Sequence, residues 1–155
     1  MPAHLRNLKI YKPEDWSFIM QLIVGLKGTG KTKTLIDAVN AASNETSGVV
    51  ICIECGRKLT FDIKPHARLV DTEEYGVDNA EKLYGFVCGM LAGNYDITEL
   101  FIDSALKICD GDIAAFEEFV CKVEKITTAH KIECVIVASV APESLSEKTS
   151  CYIKK

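Results

Sequence analysis

The chain has 155 residues, 48% hydrophobic and 26% charged, enough for one compact α/β domain with a buried core but not comfortably two. That balance excludes a disordered or low-complexity chain. Lys plus Arg number 18 against 22 Asp plus Glu, a net charge of −4, which excludes a broad electrostatic footprint for nucleic acid or an anionic membrane and leaves room only for a local basic patch.

The first 16 residues are polar and irregular, with Pro2 and Pro13, and read as an N-terminal arm ahead of a single domain over 17–155. Met1 to Arg6 carries charge but no apolar segment with a small-residue cleavage site behind it, so it does not read as a secretory signal. No apolar run approaches the roughly 18 residues needed to span a bilayer.

Phe18 to Val24 is nearly continuous in apolar residues, as expected of a strand buried on both faces of a parallel sheet. A helical pattern follows from Lys31 to about Ser43, with Leu35, Val39 and Ala42 on one face. Val49–Ile53 reads as a second buried strand and Arg68–Val70 as a short third. A helix is expected from Asp78, with Asp78 and Glu81 at capping-box-like spacing, Ala80, Leu83, Tyr84, Val87, Cys88 and Leu91 at helical spacing, and Gly93-Asn94 as its end. Glu99–Asp103 is a strand closing on a carboxylate, Asp112 starts a helix with Ile113, Phe116, Phe119, Val120, Val123 and Ile126 inward, and Cys134–Ala138 is a further strand. Cys151–Ile153 makes a last short one. Strands alternating with helices predict an α/β, three-layer fold with a mainly parallel central sheet.

One segment carries most of the chemistry. Gly25-Leu26-Lys27-Gly28-Thr29-Gly30-Lys31-Thr32 satisfies G-x-x-x-x-G-K-[ST] at every fixed position, with a buried strand before it and a helix after it. Glycines let successive N–H groups turn inward around phosphate oxygens, and the helix presents its unsatisfied amides and positive dipole end at the same place. Gly25, Lys27, Gly28, Thr29, Gly30, Lys31 and Thr32 are therefore the expected phosphate-binding residues of a P-loop NTPase fold, with Lys31 on the β- and γ-phosphates and the Thr32 hydroxyl on Mg²⁺. Lys27 is an extra cation in the loop, either solvated or a supplementary phosphate contact.

Such sites need an acid at a neighbouring strand end to hold the metal shell, and Asp103 is the candidate. Ser104 follows it, so the Glu that many ATPases place next to this Asp is missing, and Glu54 at the end of the second strand is the candidate catalytic carboxylate instead. Ser139 could sense the γ-phosphate or hold water, and Arg57 could contact phosphate or reach a neighbouring subunit; both also have bland readings as strand-end and surface residues. Cys52-Ile53-Glu54-Cys55 with His66 falls short of the usual four structural zinc ligands. Seven scattered cysteines, an odd number and mostly in apolar runs, read as reduced thiols of a cytoplasmic protein. No N/T-K-x-D segment follows Asp103, which favours ATP over GTP.

Ile10–Met20, the loop Gly25–Thr32, Glu74-Tyr75-Gly76, Tyr84–Asp96 and Phe101-Ile102-Asp103 together resemble a family of short bacterial P-loop proteins, often labelled ATP-binding protein or twitching-motility ATPase. The resemblance covers most of the chain and implies ATP binding; outside the P-loop its motifs bring no assigned chemistry. The leading expectation is a Mg·ATP-binding protein with slow or partner-stimulated hydrolysis. The alternatives are a nucleotide-gated interaction module and a small-molecule or nucleotide kinase, against which the count of three arginines argues. A protein partner and self-assembly are both compatible with these residues.

Overall fold

The computed structural model describes residues 20–153. The arm assigned to 1–16 and the residues Phe18 and Ile19 of the first expected strand lie outside the described residues. Five strands form one parallel sheet: β1 (Met20–Gly25), β2 (Val49–Glu54), β3 (Ala67–Asp71), β4 (Ile97–Ile102) and β5 (Glu133–Ser139), in the spatial order β1-β5-β4-β2-β3. Three helices of three or more turns cover it: α1 (Lys31–Glu45), α2 (Ala80–Gly93) and α4 (Ile113–Ala129). Two single-turn helices, α3 (Ala105–Ile108) and α5 (Glu147–Ser150), complete the set.

Alternation along the strands sorts the core into two halves. Val50, Cys52, Phe101 and Val137 face Leu35 and Val39 of α1, while Leu22, Ile53, Leu100, Ile102 and Ile136 face Leu83 and Val87 of α2 and Phe116 and Val120 of α4. The central strands β2 and β4 bury residues on both faces, which is why they read as apolar runs rather than alternating ones. The three-layer expectation holds in this arrangement, with one helix on one face and two on the other.

Two boundaries differ from the pattern expected in the sequence. The α2 cap is Asn79, whose side chain accepts from the Lys82 amide at 2.8 Å, while Asp78 accepts from the Lys82 ammonium at 2.9 Å. Asn serves because its carbonyl reaches the third residue of the helix from an extended backbone, displacing the Asp78–Glu81 capping box. At the other end of the chain, Cys151–Ile153 contributes only a single parallel bridge, Leu22 to Ile153, with the Leu22 amide donating to the Tyr152 carbonyl at 2.8 Å. That bridge covers the flank of β1 that faces away from β5.

Glu117 on α4 holds this terminal segment, its Oε2 accepting from the Ser146 amide (2.8 Å), the Ser146 hydroxyl (2.6 Å) and the Thr149 hydroxyl (2.5 Å). All seven cysteines are free thiols. Burial pushes the Cys134 and Cys109 thiols up, Cys109 to about 12, as expected of cysteines packed as small hydrophobes.

Candidate functional site: a cleft at the strand ends

In a parallel sheet the carboxyl ends of the strands share one edge, and the sheet order decides which ends are neighbours. Here that order carries the loop after β1 past β5 and β4 to the loop after β2. The cleft along this edge has a volume of about 280 Å³. Lys27, Gly28, Gly30, Lys31 and Thr32 form one wall, Val137, Ser139, Asp103 and Ser104 the floor, and Lys58 and Leu59 the opposite wall.

The loop wall is built as the motif requires. Gly28 and Gly30 adopt φ of 87° and 83°, a region where a Cβ would strain the backbone, and open space surrounds both positions. Gly25 and Thr29 shape the loop from behind: the Thr29 hydroxyl donates to the Leu26 carbonyl at 2.8 Å and lies 3.0 Å from where a Gly25 Cβ would stand. Lys31 is buried, and its ammonium folds back to donate to the Leu26 carbonyl at 2.8 Å and the Thr29 hydroxyl at 3.4 Å. A buried ammonium satisfied by a loop carbonyl and a hydroxyl gains strongly when an anion replaces them.

The first turn of α1 contains no acidic residue and its N-cap, Gly30, supplies no side-chain hydrogen bond. By contrast, α2 and α4 are capped by Asn79 and Asp112. The amides at the start of α1 are thus open to a ligand on the cleft side.

Asp103 stands one residue past β4, 5% exposed, with its amide bound to the Ile53 carbonyl at 2.8 Å. Burial raises its carboxyl above the ordinary range, opposed by hydrogen bonding from Ser104 and by the positive charges of Lys58 and Lys31. Ser104 itself holds φ 55°, an uncommon left-handed conformation for a residue with a Cβ, and its hydroxyl lies 3.3 Å from Asp103 Oδ2. Thr32 on the loop wall and Asp103 on the floor offer the hard oxygen donors that Mg²⁺ prefers, so the residues present fit that ion.

Glu54 and Asp103 end adjacent strands, but Glu54 does not line the cleft. It is 2% exposed, and its Oε1 accepts from the amides of Lys58 (2.9 Å) and Leu59 (3.0 Å), tying down the turn after β2. Both bonds fall on one oxygen, and no hydrogen bond to Oε2 is found among the described residues. Burial raises this carboxyl too, partly offset by the two amides, with Asp71 and Asp103 adding repulsion.

Arg57 is not at the cleft. Its guanidinium lies 4.0 Å from Asp71 and 3.9 Å from Glu74, on the outer side of the same turn. Ser139 does line the cleft, as the last residue of β5. Cys52, Cys55 and His66 form no metal-ligating group; Cys52 faces the core below α1, and the Cys55 thiol lies 3.8 Å from Glu73.

Sequence reasoning passed over Lys58. The signal was its neighbour: Leu59 and Ile63 are apolar residues in a polar loop, and both bury against Leu35 and Val39, which fixes where Lys58 starts. With Lys58 included, four lysines (27, 31, 33 and 58) and one carboxylate line the cleft of a chain whose net charge is −4.

Among solved structures, PCH-2 of C. elegans superposes with a TM-score of 0.53 at 14% identity, over 98% of this chain and 39% of that one. The crystal structure of Pif1 helicase from Candida albicans aligns with a TM-score of 0.46 at 13% identity, over 100% of this chain and 38% of that one. The chain therefore spans less than half the length of either. No family model and no curated protein matches. The parallel sheet, the loop between β1 and α1 and the likeness to PCH-2 give the chain a P-loop NTPase fold. No helix among the described residues is long and apolar enough to cross a membrane.

Proposed function

We propose that the protein binds Mg·ATP and hydrolyses it slowly, with turnover raised by a partner. The observation that carries this reading is the convergence, in one cleft, of the uncapped α1 N-terminus, the buried Lys31 ammonium and Asp103 on the facing floor. Gly28, Gly30 and the first amides of α1 hold the β- and γ-phosphates, and Lys31 exchanges the Leu26 carbonyl for a phosphate oxygen. Thr32 and Asp103 hold Mg²⁺, which when bound neutralises phosphate charge. The abundance of reduced thiols and the use of ATP suit the cytosol, and the resemblance to short bacterial ATP-binding proteins agrees with the same reading.

Hydrolysis needs a base for water. Glu54 is our candidate: one oxygen is anchored by two amides and the carboxyl is raised toward the working pH, which suits proton acceptance. Water attacks the γ-phosphorus, its proton passes to Glu54, and the bond to the bridging oxygen breaks with the electron pair leaving on ADP. Glu54 sits behind the cleft wall rather than on it, so the turn that holds it has to shift before water is in reach. That displacement accounts for slow intrinsic turnover and gives a partner something to stimulate. It equally supports the second reading, a nucleotide-gated interaction module in which hydrolysis is incidental.

Calorimetry with ATP and Mg²⁺, followed by phosphate release, tests the proposal. Binding is expected for the wild type and is lost in Lys31→Ala, while Glu54→Gln binds normally and turns over at least about a hundredfold more slowly. Absence of binding by any nucleoside triphosphate overturns the proposal. Binding without phosphate release, partner or not, leaves the gated module standing in its place.

A further inference from the structure

Four ammonium groups around one small cleft repel one another, and the motif accounts for only Lys31. Lys27 belongs to the loop itself, and Lys33 is 3.2 Å from Asp37 one turn along α1. Lys58 differs from these in coming from the far wall. Two contacts connect its backbone to the rest of the site: its own amide donates to Glu54 Oε1, and Leu59, 3% exposed, packs into the core beneath α1. The exposed side chain rises from a turn tied directly to Glu54, with no ion pair within 4.0 Å among the described residues.

The sheet order sets the direction of the ligand. On the ATP reading, phosphates held by the loop after β1 would extend along the cleft past β5 and β4 toward Asp103, where the far wall begins. The group that arrives next to Lys58 is the last one, the γ-phosphate. Lys58 therefore stands where ATP and ADP differ.

We propose, resting on the ATP reading above, that Lys58 is a γ-phosphate ligand whose main-chain bond to Glu54 couples occupancy of the terminal phosphate to the position of the catalytic carboxylate. When the ammonium is drawn onto the γ-phosphate, the turn carrying the Lys58 and Leu59 amides moves with it, and Glu54 follows through Oε1. ADP leaves the arm unengaged and the carboxylate behind the wall. The inference assigns Lys58 two roles, recognition of the triphosphate and transmission to the residue that accepts the proton.

The test compares ADP with the slowly hydrolysed analogue ATPγS, by calorimetry with Mg²⁺, on wild type, Lys58→Ala and Lys58→Arg. The hydrogen bond to Glu54 is donated by the main-chain N–H of residue 58 and survives both substitutions, so both variants are expected to fold, which their thermal unfolding checks. Lys58→Ala is expected to reduce the preference for ATPγS over ADP by about tenfold or more, the size of a lost charge-assisted hydrogen bond, with ADP affinity unchanged. Its kcat falls as well, and Lys58→Arg recovers the preference. Equal weakening of ADP and ATPγS reduces Lys58 to diffuse positive charge and overturns the inference, as does an unchanged preference. These outcomes leave the ATP reading intact; a wild type that binds neither nucleotide fails at the earlier step and takes this inference with it.

Discussion

At the scale of single residues, the site stores cost in carboxylates. Glu54 and Asp103 end neighbouring strands, are both nearly inaccessible, and are both raised by burial. A carboxyl whose value is higher folded than unfolded contributes no penalty below the ordinary carboxylate range, where both states are protonated. Stability is then lost as pH rises through the folded value, because the native state binds protons longer. Glu54→Gln keeps an oxygen for the Lys58 and Leu59 amides and removes the charge. Its Tm is therefore expected to exceed that of the wild type at pH 7, with the gap closing as pH falls below the carboxylate range; melting curves across pH measure this directly. A variant more stable yet inactive would fit a residue kept for chemistry at the expense of stability.

At the scale of elements, α1 and α2 depart from ideal helices for different reasons. The first turn of α1 lacks a side-chain cap because its amides face the cleft. Helix α2 carries Gly85 and Gly89 in its interior, both exposed, and a Cβ built at either meets nothing within 4 Å. Glycine there costs backbone entropy with no packing return, so Gly85→Ala and Gly89→Ala are each expected to stabilise the fold by about 0.5–1 kcal/mol in denaturant unfolding. Gly48 is the opposite case: a Cβ there comes within 2.8 Å of the Asp96 carbonyl and closer still to the Thr98 methyl, so Gly48→Ala is expected to destabilise.

At the scale of the whole molecule, the proposed nucleotide would bridge three segments along one edge of the sheet. The loop after β1, the floor from β4 and β5 and the turn after β2 each contribute a wall, so a ligand binding all three stabilises the native state by mass action. Saturating Mg·ATP at about 100 times its Kd is expected to add roughly 2.7 kcal/mol, read as a rise in Tm that Lys31→Ala abolishes. Acid should act elsewhere. Glu117 is held low by hydrogen bonds from Ser146 and Thr149 that outweigh its desolvation. Its contribution to pinning the segment beside β1 is present above the ordinary carboxylate range and fades as pH falls through the lowered value.

The chain alone determined a great deal here. Apolar runs long enough only for doubly buried strands, helical spacing between them and a complete phosphate-loop motif sufficed for a parallel three-layer fold and for Gly28, Gly30, Lys31 and Thr32 along one wall. These are local properties, set by side-chain period and by glycine's backbone freedom. What remained for the tertiary structure was adjacency. Whether Glu54 or Arg57 would face the cleft depended on how the turn after β2 bends, and that bend is made by a buried carboxylate gripping two amides and by Leu59 under α1. The same bend turned Arg57 outward to Asp71 and brought Lys58 to the wall, because which of three consecutive positions points inward is decided by long-range packing and not by the identity of the residues themselves.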